Sequence, residues 1–184
     1  MPNSGKQRTL VLLRHAQAEP AGGVSDEVRA LSRLGRRQCT SVAARLVASD
    51  LLPELVLVSA AVRTRETWEA VAAGLGEVPD AEVVVSDEMY QARVADVVNL
   101  VGAVDDRVRT VLVVGHEPAM SSAAAFLSGT GDPASLAQVR TGLSTGSYAV
   151  LDAGGWATAG RGGPRPGACC WAGRRWRCWL TITI

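Results

Sequence analysis

The chain has 184 residues, 47% of them hydrophobic and 20% charged, with a formal net charge of +1. That make-up fits one folded domain of ordinary size and excludes disordered and collagen-like chains. A charge so close to zero points to neither a nucleic-acid nor a membrane partner, and no apolar run reaches the roughly 18 residues of a membrane span.

Thr9 to Leu13 are apolar and partly β-branched, which predicts a short buried strand delivering Arg14 and His15 at its carboxyl end. The same run is too short for the apolar centre of a signal peptide, and Arg14 and His15 interrupt it, so a cytoplasmic location is expected. A polar loop follows through Gly22, Gly23 and Asp26, and Ser32 is a candidate cap for the next helix. Cys39, Val42, Ala43 and Leu46 fall on one face of that helix, which Pro53 stops. Leu55 to Val58 make a second buried strand ending at Ser59. A helix over about 61–73 follows, closed by Gly74 and Gly76.

Val83 to Val85 read as a short third strand, and Val94, Val97, Val98 and Val101 repeat at helical spacing. Thr110 to Val114 form the plainest strand, ending in Gly115-His116-Glu117-Pro118. Pro118 suits the first turn of a helix running through Phe126 to Gly129. Tyr148 to Leu151 form a last strand that turns at Gly154-Gly155. Strands apolar on both faces, alternating with helices, predict an α/β three-layer sandwich whose central sheet is mostly parallel and covered by helices on both faces.

The chain has two histidines, and each stands immediately after a predicted parallel strand. Ligands in open α/β sheets bind at the carboxyl ends of the strands, so both imidazoles are expected at the reactive edge. Leu12-Leu13-Arg14-His15-Ala16, then Ser59 to Thr67 with Arg63 in its midst, then Val114-Gly115-His116 form an ordered set of three motifs. Together with Gly35 and Gln38 after Leu31-Ser32, this set resembles the histidine phosphatase superfamily, the phosphoglycerate-mutase-like clan, over about residues 8–152. The short length, without an inserted lid domain, is most similar to the SixA-type phosphohistidine phosphatases.

The resemblance implies an enzyme that takes a phosphoryl group onto His15. Arg14, Arg63 and His116 bind its oxygens, and no metal or other cofactor takes part. The physical chemistry agrees: stabilising a transferring phosphoryl group is mainly an electrostatic task, which planar guanidinium forks suit. Neighbouring cations should keep His15 neutral and nucleophilic near pH 7. Many clan members protonate the leaving oxygen with a glutamate. Glu88 in Ser86-Asp87-Glu88-Met89-Tyr90 matches by position, with Asp87 and Glu19 as competitors. The implied substrate is phosphohistidine on a protein. The alternatives are a small phosphomonoester (a sugar phosphate or nucleotide-derived metabolite) or an inactive phosphate- or protein-binding module. Ala16 where the clan usually has glycine, Ala18 without a hydroxyl and Ala60 in place of a common proline argue against a mutase.

Composition divides the chain into residues 1–155, the phosphatase-like domain, and 156–184, an atypical tail. From Ala153 onward there are five arginines and no acidic residue, leaving 14 basic against 18 acidic residues in the body. The tail holds Trp156, Trp171, Trp176 and Trp179 with Cys169, Cys170 and Cys178. A reading-frame change in a GC-rich gene would account for it. Adjacent Cys169 and Cys170 suggest neither a disulfide framework nor a zinc site.

Overall fold

The computed structural model describes residues 8–76, 81–128, 130–153, 156 and 177–181. Seven strands form one sheet: β1 (Arg8–Arg14), β2 (Leu55–Ser59), β3 (Glu82–Ser86), β4 (Thr110–Gly115), β5 (Thr130–Gly131), β6 (Tyr148–Ala153) and β7 (Arg177–Thr181). They lie in the order β3-β2-β4-β1-β6-β7-β5. β3, β2, β4 and β1 run parallel, while β6 joins β1 antiparallel and β7 joins β6 antiparallel. The sheet is therefore mostly parallel where it carries the chemistry, as the sequence predicts. Among the described residues no lid domain is inserted.

Five helices cover it: α1 (Arg33–Ala48), α2 (Val62–Leu75), α3 (Val94–Gly102), α4 (Ala119–Leu127) and α5 (Pro133–Thr141). β1 shows why two layers are needed. Leu10 and Leu12 enter a core with Val97, Val101, Met120 and Ala123, from α3 and α4. Val11 and Leu13 enter the opposite core with Cys39, Val42, Leu46, Trp68 and Val71, from α1 and α2. Alternate residues of a strand point to opposite faces, so a strand apolar throughout needs cover on both.

Ser32 caps α1 through the Gly35 amide, as its position suggests. Helix α4 begins one residue later than the proline rule predicts, with Pro118 as its cap. β3 departs from the expectation of covered strands. It is the outer edge of the sheet, and Val83, Val84 and Val85 are all exposed. Its β-branched residues make the strand, but at the edge their side chains stay exposed. Helix α5 and strands β5 and β7 are additions that no sequence pattern announced. Within the compositional tail, Trp156 is fully buried in the α3/α4 core. Its indole N–H donates to the Val108 carbonyl at 2.8 Å. Residues 157–176 and 182–184, and the turn at Gly154-Gly155, lie outside the described residues.

Candidate active site

Parallel strands bring their carboxyl ends to one edge. Arg14 of β1 pairs with Gly115 of β4, Val58 of β2 with Val114 of β4, and the His15 amide donates to the Gly115 carbonyl at 3.0 Å. His15, Ser59 and His116 thus leave adjacent strands side by side. Arg63 comes from the first turn of α2, immediately after β2.

The structure brings the four expected residues together. Arg63, buried with 6% exposure, lies between the two imidazoles. Its Nε donates to His15 Nε2 at 3.3 Å and its NH2 to His116 Nδ1 at 3.3 Å. The two rings stand 5.2 Å apart, centroid to centroid. Arg14 anchors through NH1 to the Leu143 carbonyl at 2.6 Å. Its Nε is buried without a partner among the described residues, a donor available to an anion entering the cage.

Hydrogen-bond logic fixes both tautomers. His15 Nδ1 faces the Ala16 carbonyl at 2.8 Å, so it must carry the proton and leave Nε2 with the free lone pair. His116 Nδ1 accepts from Arg63, so its Nε2 donates to Ser59 Oγ at 2.9 Å. Both rings are held neutral. Burial is the largest cause for each, and the Arg63 and Arg14 charges add to it. His15 is lowered to about 4, against the Ala16 hydrogen bond, and His116 to about 3.

Supporting contacts place these groups. Thr67 Oγ1 donates to the Arg63 carbonyl and accepts from the Ala16 amide, tying the residue after His15 to the turn that carries Arg63. Gly35 allows α1 to lie against the strand-exit loop. A Cβ at this position would stand 2.1 Å from the Gln17 carbonyl oxygen. Gln38 completes the junction by accepting from the Gln17 amide at 2.8 Å.

Three residues to which the sequence assigned no role join the site: Ser59, Tyr90 and Asp26. Tyr90 sets its ring edge against His116 at 5.4 Å and donates to Asp26 Oδ2 at 2.9 Å. Asp26, from a short 3-10 turn in the β1–α1 loop, accepts from Arg63 NH2 at 2.7 Å and from Arg29 NH1 at 2.6 Å. These cations and Tyr90 hold its carboxyl well below the usual carboxylate range, Arg29 acting most strongly.

Glu88 opens the 3-10 turn Glu88–Tyr90. Its side chain is exposed, and it makes no hydrogen bond or ion pair with the four. Asp87 and Glu19 are exposed as well. Glu117, next to His116, caps α4 by accepting from the Ser121 amide and hydroxyl. A cavity of about 380 Å³ opens off His116, lined by Tyr90, Arg93, Val94, Glu117 and Ser122 among others. Among the described residues, no group of three or more His, Cys, Asp or Glu side chains is gathered as a metal site would require.

Comparison with known proteins follows the same geometry. The sequence profile described as histidine phosphatase superfamily (branch 1) matches residues 10–90. An uncharacterised protein of Mycobacterium tuberculosis, Rv1276c, is 34% identical over 149 residues, spanning 79% of this chain and 90% of that one. The solved structures it resembles include two of proteins provisionally named phosphohistidine phosphatase SixA. The one from Nakamurella multipartitia superposes with a TM-score of 0.76 at 29% identity, covering 97% of each chain. The one from Agrobacterium tumefaciens superposes with a TM-score of 0.69 at 32% identity, over 79% of this chain and 91% of that one.

Proposed function

The chain belongs to the histidine phosphatase superfamily, and on that premise we propose that it removes the phosphoryl group from phosphohistidine on a protein, through a covalent intermediate on His15. The observation that carries this reading is the Nδ1–H bond from His15 to the Ala16 carbonyl. It leaves Nε2 unprotonated and facing Arg63, where a nucleophile for phosphorus is needed.

In the first step the Nε2 lone pair of His15 attacks phosphorus. The P–N bond to the substrate imidazole breaks, and its electron pair returns to that ring. Arg63 and Arg14 neutralise the equatorial oxygens, and the guanidinium of Arg63 moves its Nε–H from His15 to the phosphoryl group. Water then attacks phospho-His15, the P–Nε2 bond breaks, and phosphate leaves while the water's second proton passes to solvent. No resident metal or organic cofactor enters either step.

The substrate class is supported by the placement of the acids. With Glu88 exposed and not hydrogen-bonded to the cage residues, a leaving group that brings its own proton is favoured, and a protonated imidazole does so. Among the described residues no lid domain covers the site, which leaves a protein-borne phosphohistidine room to approach.

The test is hydrolysis in excess chelator by wild type beside His15→Ala, with a phosphohistidine protein and a panel of sugar phosphates and nucleotide-derived phosphomonoesters. Wild type should retain full rate, form an acid-labile label on His15 with a phosphodonor, and show higher kcat/KM on the phosphohistidine protein; His15→Ala should neither hydrolyse nor label. Faster metabolite turnover reverses the substrate class. A wild type that binds phosphate yet never labels is a binding module, and loss of activity with chelator alone refutes the metal-free mechanism.

A further inference from the structure

Arg63 is held from its outer side as well as facing inward. Its NH1 donates to the Asp26 main-chain carbonyl at 2.5 Å and its NH2 to the Asp26 carboxylate at 2.7 Å. A guanidinium is planar and rigid, so fixing two points on one edge fixes the direction of the other. The adjoining edge, Nε with the second N–H of NH2, is the one aimed at His15 Nε2 and His116 Nδ1. We propose that Asp26 is a positioning residue for phosphoryl transfer: by gripping the outer edge of Arg63 it aims the inner edge at the phosphoryl oxygens. This rests on the reading that Arg63 binds the phosphoryl group.

Asp26 is itself held from two directions. Arg29 donates to Oδ1 and in turn holds the Glu19 carbonyl at 2.8 Å, while Tyr90 donates to Oδ2 from the far side of the site. These contacts do not serve apolar packing of the loop. Residues 19–28 are exposed throughout, including Val24 and Val28, each more than half exposed. An aspartate placed for structure alone would be expected where the loop buries something. Here it touches the guanidinium of Arg63, the tyrosine beside His116, and Arg29 of its own loop.

The negative charge has a second effect of opposite sign. It offsets part of the positive potential of Arg63, Arg14 and Arg29 around the cage, so it disfavours a bound anion while ordering the group that stabilises the transition state. Removing it should therefore lower turnover without lowering affinity for a tetrahedral oxyanion. Loss of a purely structural residue would lower both together.

Three readouts on wild type, Asp26→Ala and Asp26→Asn test this: the Arg63 Nε–H resonance (assigned by its loss in Arg63→Lys), tungstate binding by calorimetry, and single-turnover hydrolysis of a phosphohistidine protein. In Asp26→Ala the resonance should broaden or vanish, and the rate should fall by about 10- to 100-fold. Tungstate affinity should hold or tighten. Asp26→Asn keeps one acceptor oxygen and should recover part of both the resonance and the rate. An unmoved resonance overturns the proposal. So does a rate within about threefold of wild type, or above it, as a carboxylate merely occupying the anion site would give. So does tungstate binding that weakens in step with the rate. If wild type itself hydrolyses no phosphoryl substrate, the phosphatase reading fails, and the resonance alone still decides whether Asp26 orders Arg63.

Discussion

Gly35→Ala offers a test in which helix propensity and packing predict opposite signs. Gly35 lies in the first turn of α1, where alanine is intrinsically better by about 1 kcal/mol, so propensity alone predicts a more stable protein. The structure predicts the reverse. The new Cβ would lie 2.1 Å from the Gln17 carbonyl oxygen and 3.1 Å from the Gln17 carbonyl carbon. Carbon–oxygen contacts settle at about 3.3 Å or more, so α1 and the loop after His15 must part by on the order of 1 Å. Both sides of the clash are backbone, so no side chain can swing aside. Overpacking of this kind costs about 3 kcal/mol at the upper end. Set against the propensity gain, the net loss is about 2 kcal/mol, or about 4–8 °C in Tm for a chain of this size. The displaced loop carries the Gln17 amide bond to Gln38 and begins two residues after the nucleophile. A misplacement of about 1 Å can cost about 100-fold in rate, so kcat/KM should fall to that order. Urea and thermal unfolding read the first number and single-turnover hydrolysis the second. A variant at least as stable as wild type, with activity within about threefold, would refute the reasoning.

Ser59→Ala should leave the part-buried His116 Nε2–H without its acceptor and cost about 1 kcal/mol in unfolding free energy. It should also reduce turnover, because a hydroxyl can serve either tautomer of His116 and alanine serves neither; a wild-type Tm would dismiss the contact. The pH dependence follows from the two lowered histidines. Folded His15 and His116 titrate near 4 and 3, whereas in the unfolded chain they bind protons near 6.5. As pH falls from 6.5 the unfolded state takes up protons that the folded state refuses, so stability should drop progressively towards pH 4 and below. The urea midpoint measured across this range should fall, and less steeply in His15→Ala. Labelling of His15 by a phosphodonor should stay level from pH 8 to about 5 and decline only as pH nears 4; a decline centred at 6.5 would contradict the buried, neutral nucleophile.

The legible and illegible parts of this protein divide by the range of the forces that specify them. β1, β2 and β4 are readable because burial on both faces leaves an unbroken apolar run, and the residue after each run must stand at the sheet's reactive edge. Arg14, His15, Arg63 and His116 could be located from that rule and from motif order. Helix α5 went unread because it buries little; Val139 is its one fully buried residue, too sparse for a period. The valines of β3 declare a strand correctly, yet their exposure depends on an edge position that no local pattern encodes. Asp26, Ser59 and Tyr90 are polar residues in loops or at a strand end. Their partners lie 37, 57 and 64 positions away, so only the folded chain shows what they touch.

Because β1 sends Leu10 and Leu12 to one side and Val11 and Leu13 to the other, the direction in which its exit residues emerge depends on parity. The strand is bonded to β4 along one flank and β6 along the other, so neither neighbour can slide to absorb a change in length. Losing or gaining a single residue there would swap the two interiors and turn the nucleophile away from its cage. A change of two would keep every side chain on its own side, so the catalytic centre tolerates even steps in this strand and forbids odd ones.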